Sequence, residues 1–452
     1  MVRRAVDAVR AAGIQRTVVV IPPDTDRVAA VLPTDVTLAV QREPLGTGDA
    51  VRAGLACLGE NVRRVVVLGG DTPLVSPETI RRVAGAVPAA TIALAAAELD
   101  IPDGYGRVIL RDSSCVERIV EEADASPEER ALRLVNGMLF SFDRTWLQSV
   151  SGEIPTAANG EIYLTALVER ATTEGREVRV IRADDPWEIV GVNTRQQLAE
   201  VEAALRNRVR ARLMDEGVTI VDPASAFIDE SVVVAPDVIL QPHCYLRGRT
   251  VVATGCILGP GAEVIDSRLG EGARVWWSVV EGADVGPGVS IGPYSRVRPG
   301  TILGADVALG SFAEVKNSSV GAGTQMHHFS YLGDADVGTD VNIGAGAVTC
   351  NFDGVEKHRT VIGAGAFVGS DTMLVAPVVV GERAMTGAGA VVTKDVPAGA
   401  RVVGVPARAL PGNNPSPLRM PASRRARSPQ GGHPPPGGRG RSNPDRGADR
   451  DG

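Results

Sequence analysis

The sequence predicts a doubly wound α/β domain, then a connecting helix, then a left-handed parallel β-helix of hexapeptide repeats. Three observations carry this. From Ile228 onward an aliphatic residue returns at every sixth position. Before Arg195 the chain alternates short strand-type and helix-type segments. Glycine is abundant, at 52 of 452 residues, while aromatics make up 4%, a composition of many tight turns around a core of Val, Ile, Leu and Ala.

The six-residue series runs Ile228, Val234, Leu240, Leu246, Val252, Leu258 and Val264. After a break it resumes as Val285, Ile291, Val297, Leu303, Leu309 and Val315. It returns at Val337 and Ile343, and again at Ile362, Val368, Leu374, Val380 and Val392, with Thr386 filling one place. A small residue often follows, as in Ile291-Gly292 and Val380-Gly381. This period is neither the 3.6 of a helix nor the 2 of a simple strand. It fits one short strand per hexapeptide, aliphatic side chains pointing into a triangular prism, and coils stacked about 4.8 Å apart. The interruptions between Val315 and Val337 and between Ile343 and Ile362 are expected to stand off the prism as loops.

Upstream, Leu198, Val201, Leu205, Val209 and Leu213 follow a helical period in a charged segment, which predicts a linker helix over 194–217. Residues 1–193 form the α/β domain. The expected elements are helix Val2–Ala12, strand Thr17–Ile21, helix Arg27–Leu32, strand Thr37–Val40, helix Asp49–Leu58, strand Arg64–Leu68, helix Pro77–Ala86 and strand Thr91–Ala96. The β-helix occupies 218–410. Residues 411–452 are rich in Pro, Gly, Ser and Arg without periodicity and read as a disordered tail.

A formal net charge of −7 gives no reason to expect nucleic acid or an anionic membrane as partner. The five cysteines, Cys57, Cys115, Cys244, Cys256 and Cys350, lack CxxC spacing, so neither a disulfide framework nor a zinc site is implied. The start lacks the apolar run of a signal peptide, and no apolar stretch reaches membrane-spanning length. A cytoplasmic protein is the expectation.

The segment HHFSYLGDADVGTDVNIGAGAVTCNFDGVEKHRT, together with QREPLGTGDA, LGGDTPL, DGYGRV, RIVEE, VNGMLF and GEIYLT upstream, resembles the bifunctional bacterial N-acetylglucosamine-1-phosphate uridyltransferase/glucosamine-1-phosphate acetyltransferases. The resemblance runs from Met1 to about Pro406. It implies that the β-helix transfers acetyl from acetyl-CoA to glucosamine-1-phosphate. The nucleotidyltransferase-like α/β half would then couple N-acetylglucosamine-1-phosphate to UTP with Mg²⁺, giving UDP-N-acetylglucosamine for cell-wall precursors. A homotrimer is implied as well.

By the same resemblance, His328 is the general base that takes the amine proton. Its neighbour His327 stands where relatives have a small residue, and strand alternation would let only one of the two face the cleft. Arg298, Lys316 and Lys357 match positions that hold the sugar phosphate, with Tyr331 and Asn342 as hydrogen-bonding partners. Ala345, Asn351, Phe352, Ser370 and Ala388 match the acetyl-CoA path. Phe352 replaces a tyrosine, and Gly404-Val405-Pro406 stands where relatives carry a late arginine, a role Arg408 is placed to take. In the α/β half Gln41, Gly46 and Thr47 match the uracil-reading loop, and Gly106, Glu121, Asn136 and Asn193 the UDP-sugar contacts. Asp71 and Asn193 match the Mg²⁺ ligands.

The family opens with a central strand and a glycine-rich loop that grips the nucleotide phosphates, whereas Met1 falls at the first helix. A start assigned too late or a real truncation would explain this. Either leaves the α/β domain incomplete at its start, with two strands lacking a neighbour in the core. Acetyl transfer with little uridylyl transfer is the resulting expectation. Rival readings are a hexapeptide acetyltransferase for another acceptor and a non-catalytic regulatory scaffold. A γ-class carbonic anhydrase needs three clustered histidines, a pattern that His243, His327, His328, His358 and His433 do not show.

Overall fold

The computed structural model describes residues 1–23, 26–87 and 89–409. The segment 411–452, read above as a disordered tail, lies outside them. In chain order the α/β unit runs α1 (Val2–Ala11), β1 (Val18–Ile21), α2 (Asp26–Ala29), β2 (Thr37–Val40), α3 (Thr47–Leu55), β3 (Arg64–Leu68) and α4 (Pro77–Gly85). It continues β4 (Ile92–Glu98), β5 (Arg107–Leu110), β6 (Val116–Val120), α5 (Pro127–Arg130), β7 (Leu134–Asp143), α6 (Arg144–Val150), α7 (Ala166–Thr173) and β8 (Val178–Arg182). The alternating pattern read from the sequence places each of the first eight elements within a few residues of its observed position.

The main sheet is mixed. β7 lies antiparallel between β3 and β4, and β4 pairs in parallel with β8. Ile92, Leu94 and Ala96 of β4 fill one side of the sheet with Phe140 and Phe142 of β7, while Ala93, Ala95 and Ala97 pack on the other. Burial on both sides is why β4 reads as an unbroken apolar run.

β1 and β2 form a separate two-stranded parallel sheet. Between β1 and β3 lies an apolar cleft of about 600 Å³. Successive residues of both strands line it, from Arg16 to Val20 and from Arg64 to Leu68. Side chains alternate across a strand, so a run of consecutive lining residues means that the strand edges themselves face the cleft. Val2, Val6 and Val9 of α1 close one side, and Ala50, Val51 and Leu55 of α3 line it too. Among the described residues neither strand has a ladder partner on this edge, and the buried Thr17 hydroxyl has no hydrogen-bond partner. β1 and β3 thus each pair on one edge only and turn the other toward this cleft.

Thr194 and Gln197 form a reciprocal capping box that starts α8 (Arg195–Asp215). Its first half packs Val201 and Ala204 against Leu74 and Val192 of the α/β unit. Its second half inserts Val209 and Leu213 into the end of the solenoid core. One helix therefore serves two cores, and the ion pair of Arg4 with Glu230 at 2.7 Å adds a second link.

The remaining strands are two to four residues long and build three sheets, the faces of the prism, parallel throughout except for the final strand Arg408–Ala409. The sixfold aliphatic positions are its core, with Leu240, Leu246, Leu258, Val264, Ile291 and Val297 all fully buried. One expected loop is absent. Between Val315 and Val337 the chain stays in the prism, with Val320, Met326 and Leu332 buried. The register slips because the steps from Val315 to Val320 and from Leu332 to Val337 are five residues, one short of the repeat. The residues at these tight corners, Asn317 and Asp334, take φ of 45° and 51°, a left-handed conformation Asn and Asp tolerate. The second interruption is a true loop, residues 351–359, pinched by a bridge between Phe352 and Lys357.

Candidate active sites

Sheet register decides which residues meet on the β-helix, because neighbours across coils are 16 or more residues apart in sequence. Gln325 pairs with Asn342, Asn342 with Phe367, and Phe367 with Met385. Three residues beyond each pairing lie His328, Ala345, Ser370 and Ala388, at equivalent places in four successive coils. The register after the corner agrees, with Tyr331 opposite Val348, Val348 opposite Met373 and Met373 opposite Val391. The proposed base and three acetyl-CoA positions thus form one column along a prism edge. Both His327 and His328 are exposed. They lie in a bend between Gln325–Met326 and Ser330–Gly333, so strand alternation does not select between them. The His327 backbone does have a structural role, since a Cβ on Gly310 would fall 2.0 Å from the His327 carbonyl oxygen. Gly310→Ala is expected to displace this corner, costing about 1–3 kcal/mol in chemical denaturation and lowering acetyl transfer. Unchanged stability and activity would show that the corner is not held by this contact.

The face following this edge carries the polar groups. Val297 pairs with Val315, and Lys316 with Gly333, which stacks Arg298 on Lys316. Arg298 donates to Glu314 at 2.9 Å, and Glu314 lies opposite Tyr331. A Cβ on Gly333 would meet the Tyr331 hydroxyl at 2.3 Å, so glycine lets that ring lie flat over the strand end. At the far corner the 351–359 loop brings Lys357 beside Lys316. The Lys357 ammonium, with lesser contributions from burial and Arg298, pulls the Lys316 pKa below the ordinary lysine value. Two cations side by side can both donate to a single anionic group.

The loop is fastened at its base. His358 Nε2 lies 2.7 Å from Asp353 Oδ2, and Asp353 accepts from the Val355 and Glu356 amides at 2.8 and 2.7 Å. The Glu356 amide, His358 and the Val355 amide together hold the Asp353 carboxyl well below the usual carboxylate range. Phe352 is 59% exposed on this loop, whereas Asn351 turns inward and donates to Asp334. Asn342 lies half-buried in its strand. Arg408 is exposed near the last coil, in a short strand antiparallel to Arg401–Val403.

In the α/β unit, Gln41 Nε2 donates to the Gly46 carbonyl at 3.1 Å and to Asp49 at 2.9 Å. Gly46 has φ 111°, and a Cβ there would sit 2.7 Å from the Ile162 carbonyl oxygen. Thr47 Oγ1 accepts from the Leu164 amide at 3.0 Å. The 41–48 loop is thereby zipped to Ile162–Leu164. Gly106, Glu121 and Asn136 come together as expected. The Asn136 amide donates to the Gly106 carbonyl at 2.9 Å, and a Cβ on Gly106 would lie 3.3 Å from Glu121 Oε2. Burial pushes the Glu121 carboxyl up, opposed by the Thr165 hydroxyl that donates to it. Asp71 follows β3 and accepts at its carbonyl from the Val192 amide at 3.0 Å, which draws the Gly191–Asn193 segment beside it. Its carboxylate lies against Gly191, where a Cβ would come within 3.2 Å. One carboxylate beside an exposed Asn193 fits Mg²⁺, which keeps several waters and shares substrate phosphates. No cluster of three His, Cys, Asp or Glu that could hold a metal exists among the described residues.

Glu314, Asn317 and Asp334, none of them expected from the sequence, lie among the candidate site residues. The five-residue steps containing Asn317 and Asp334 were the available signal.

An α/β sheet with ligand-side loops, joined to a hexapeptide β-helix bearing one histidine at the head of a column of small residues and a lysine pair, defines a two-domain transferase. A profile of MobA-like NTP transferase domains matches residues 1–137, and one of the bacterial transferase hexapeptide, six repeats, matches 359–394. Similar proteins include the bifunctional protein GlmU of Heliobacterium modesticaldum, 42% identical over 89% of both chains. That of Trichlorobacter lovleyi is 43% identical over 86% of both. That of Streptomyces coelicolor is 45% identical over 84% of this chain and 80% of its own. The chain belongs to the family of the bifunctional protein GlmU.

Proposed function

We propose that the β-helix, residues 218–410, transfers acetyl from acetyl-CoA to the amine of glucosamine-1-phosphate. The α/β unit, residues 1–193, serves uridylyl transfer from UTP to N-acetylglucosamine-1-phosphate, with 194–217 as linker. The observation that carries the first reading is the column of His328, Ala345, Ser370 and Ala388 along one edge of the face that ends in Lys316 and Lys357. A sugar phosphate anchored by the lysines, Arg298, Tyr331 and Asn342 would direct its amine toward His328. A thioester lying along the small residues, held by Asn351 and Phe352, would meet it there. His328 takes the ammonium proton, the freed amine attacks the thioester carbonyl, the C–S bond breaks as CoA leaves as the thiolate, and the second proton lost from the acylated nitrogen protonates that thiolate to give CoA thiol and the neutral amide.

Gln41, Gly46, Thr47, Gly106, Glu121, Asn136 and Asn193 would hold the UDP-sugar. Asp71 and Asn193 would hold Mg²⁺, which supplies charge neutralisation at the phosphates. The exposed Tyr294, Phe312 and Phe329, at 57%, 62% and 58% exposure, border the histidine edge and support packing of copies there as a homotrimer. No described helix is long and apolar enough to cross a membrane.

Release of CoA thiol with glucosamine-1-phosphate, and not with serine, glucosamine or aminoglycosides, is the expected result of an acceptor panel. Preference for another acceptor would overturn the substrate, and no release with any acceptor would favour a scaffold. The active protein is expected to sediment as three chains; full activity in a monomer would overturn the trimer.

A further inference from the structure

Asp334 is the buried carboxylate nearest the lysine pair, and its corner does not require an aspartate. Equivalent corners of earlier coils carry Gly282 and Gly300 at φ of 54° and 78°, so the backbone alone would accept glycine. At Asp266, another such corner, the carboxylate caps the Arg249 amide at 2.8 Å. At Asp334 it does something else. Asn317, one coil before, donates to Oδ1 at 2.6 Å, and Asn351, one coil after, donates to Oδ2. Register places the three residues in a single column, since Lys316 pairs with Gly333 and Tyr331 with Val348. The side chain is buried, with Asp334 at 7% and Asn351 at 8% exposure.

We propose that Asp334 is a positioning residue that ties the two half-sites together, anchoring Asn351 on the acetyl-CoA side through one oxygen while its charge holds Lys316 and Lys357 side by side. The inference rests on the acetyl-transfer reading above. The charges concerned are few. Lys316 faces Lys357, Arg298 and Asp334. Asp334 faces both lysines. Arg359, which also feels Asp334, is paired with Asp336. Burial pushes the Asp334 carboxyl up, but the Asn317 and Asn351 amides and the two lysines outweigh this and the net shift is downward. It therefore ionises at lower pH than an ordinary aspartate and is charged throughout the range in which the lysines lose their protons. Two ammonium groups in contact repel, and the carboxylate offsets that repulsion before any phosphate arrives.

The test compares the full-length chain with Asp334→Asn and Asp334→Gly, following KM for each substrate against pH. Asparagine keeps the size and, with one neighbouring amide flipped, the contact to Asn351, but removes the charge. Its KM for glucosamine-1-phosphate is expected to begin its alkaline rise about one pH unit lower, with KM for acetyl-CoA within about twofold. Glycine suits the left-handed φ but releases Asn351, so it should shift the same limb and also raise KM for acetyl-CoA about tenfold, the loss of one hydrogen bond near 1.4 kcal/mol. An alkaline limb unchanged in Asp334→Asn overturns the proposal. So does an acetyl-CoA KM unchanged in Asp334→Gly. If the glycine variant fails to fold, the limb of Asp334→Asn decides alone. A parent chain inactive toward glucosamine-1-phosphate would instead overturn the function on which the inference rests.

Discussion

Replacing His328 by alanine is expected to lower acetyl transfer by about 10²–10⁴-fold, the usual contribution of a positioned general base. Replacing His327 should cost less than about tenfold. Both histidines lie in the same exposed bend, so exposure does not distinguish them. Register does, because His328 aligns with Ala345, Ser370 and Ala388, whereas the His327 carbonyl is the atom pressed onto Gly310. An alanine at 327 keeps that carbonyl. The comparison requires kcat at saturating acetyl-CoA for both variants, with thermal unfolding as a control. A larger loss for His327→Ala, at equal stability, would assign the base to His327.

The second large effect concerns the α/β unit. Uridylyl transfer with UTP, N-acetylglucosamine-1-phosphate and Mg²⁺ is expected to run at least about 100-fold slower than acetyl transfer by the same preparation. The reason is positional. Asp71 sits just beyond β3, and β3 meets the cleft along its whole outer edge, held in the sheet by β7 alone. Transfer between phosphates depends on exact placement, and a displacement of about 1 Å can cost about 10²-fold. Amide exchange offers an independent measure, since β3 should exchange faster than β4, which is paired on both edges. Pyrophosphate release at a rate matching acetyl transfer would refute the expectation.

Part of the set that the resemblance assigns to the UDP-sugar lies together in the structure. Gly106, Glu121 and Asn136 do converge, and the Gln41–Thr47 loop is braced by Ile162 and Leu164, which the sequence motif GEIYLT contains. The acetyltransferase residues were equally legible by motif. Their arrangement was not, because Arg298 and Lys316, or His328 and Ala345, are separated by one coil whose length varies by a residue. The apparent loop after Val315 illustrates the difficulty. A one-residue contraction at Asn317 and another at Asp334 break a strict sixfold count as completely as an insertion does, yet they leave the prism intact.

By itself, the sequence determined the order of the two domains, the linker helix, the solenoid core and the identity of most candidate site residues. These follow from local regularities: which side chain is apolar, at what period, and which motif surrounds it. Only the tertiary structure decided which corner Asp334 shares with Asn317 and Asn351, that Lys357 reaches Lys316, and that β1 and β3 front a common cleft. Those relations depend on the accumulated register of many coils and on how separate strands share an edge, and neither is encoded in the spacing of any one segment.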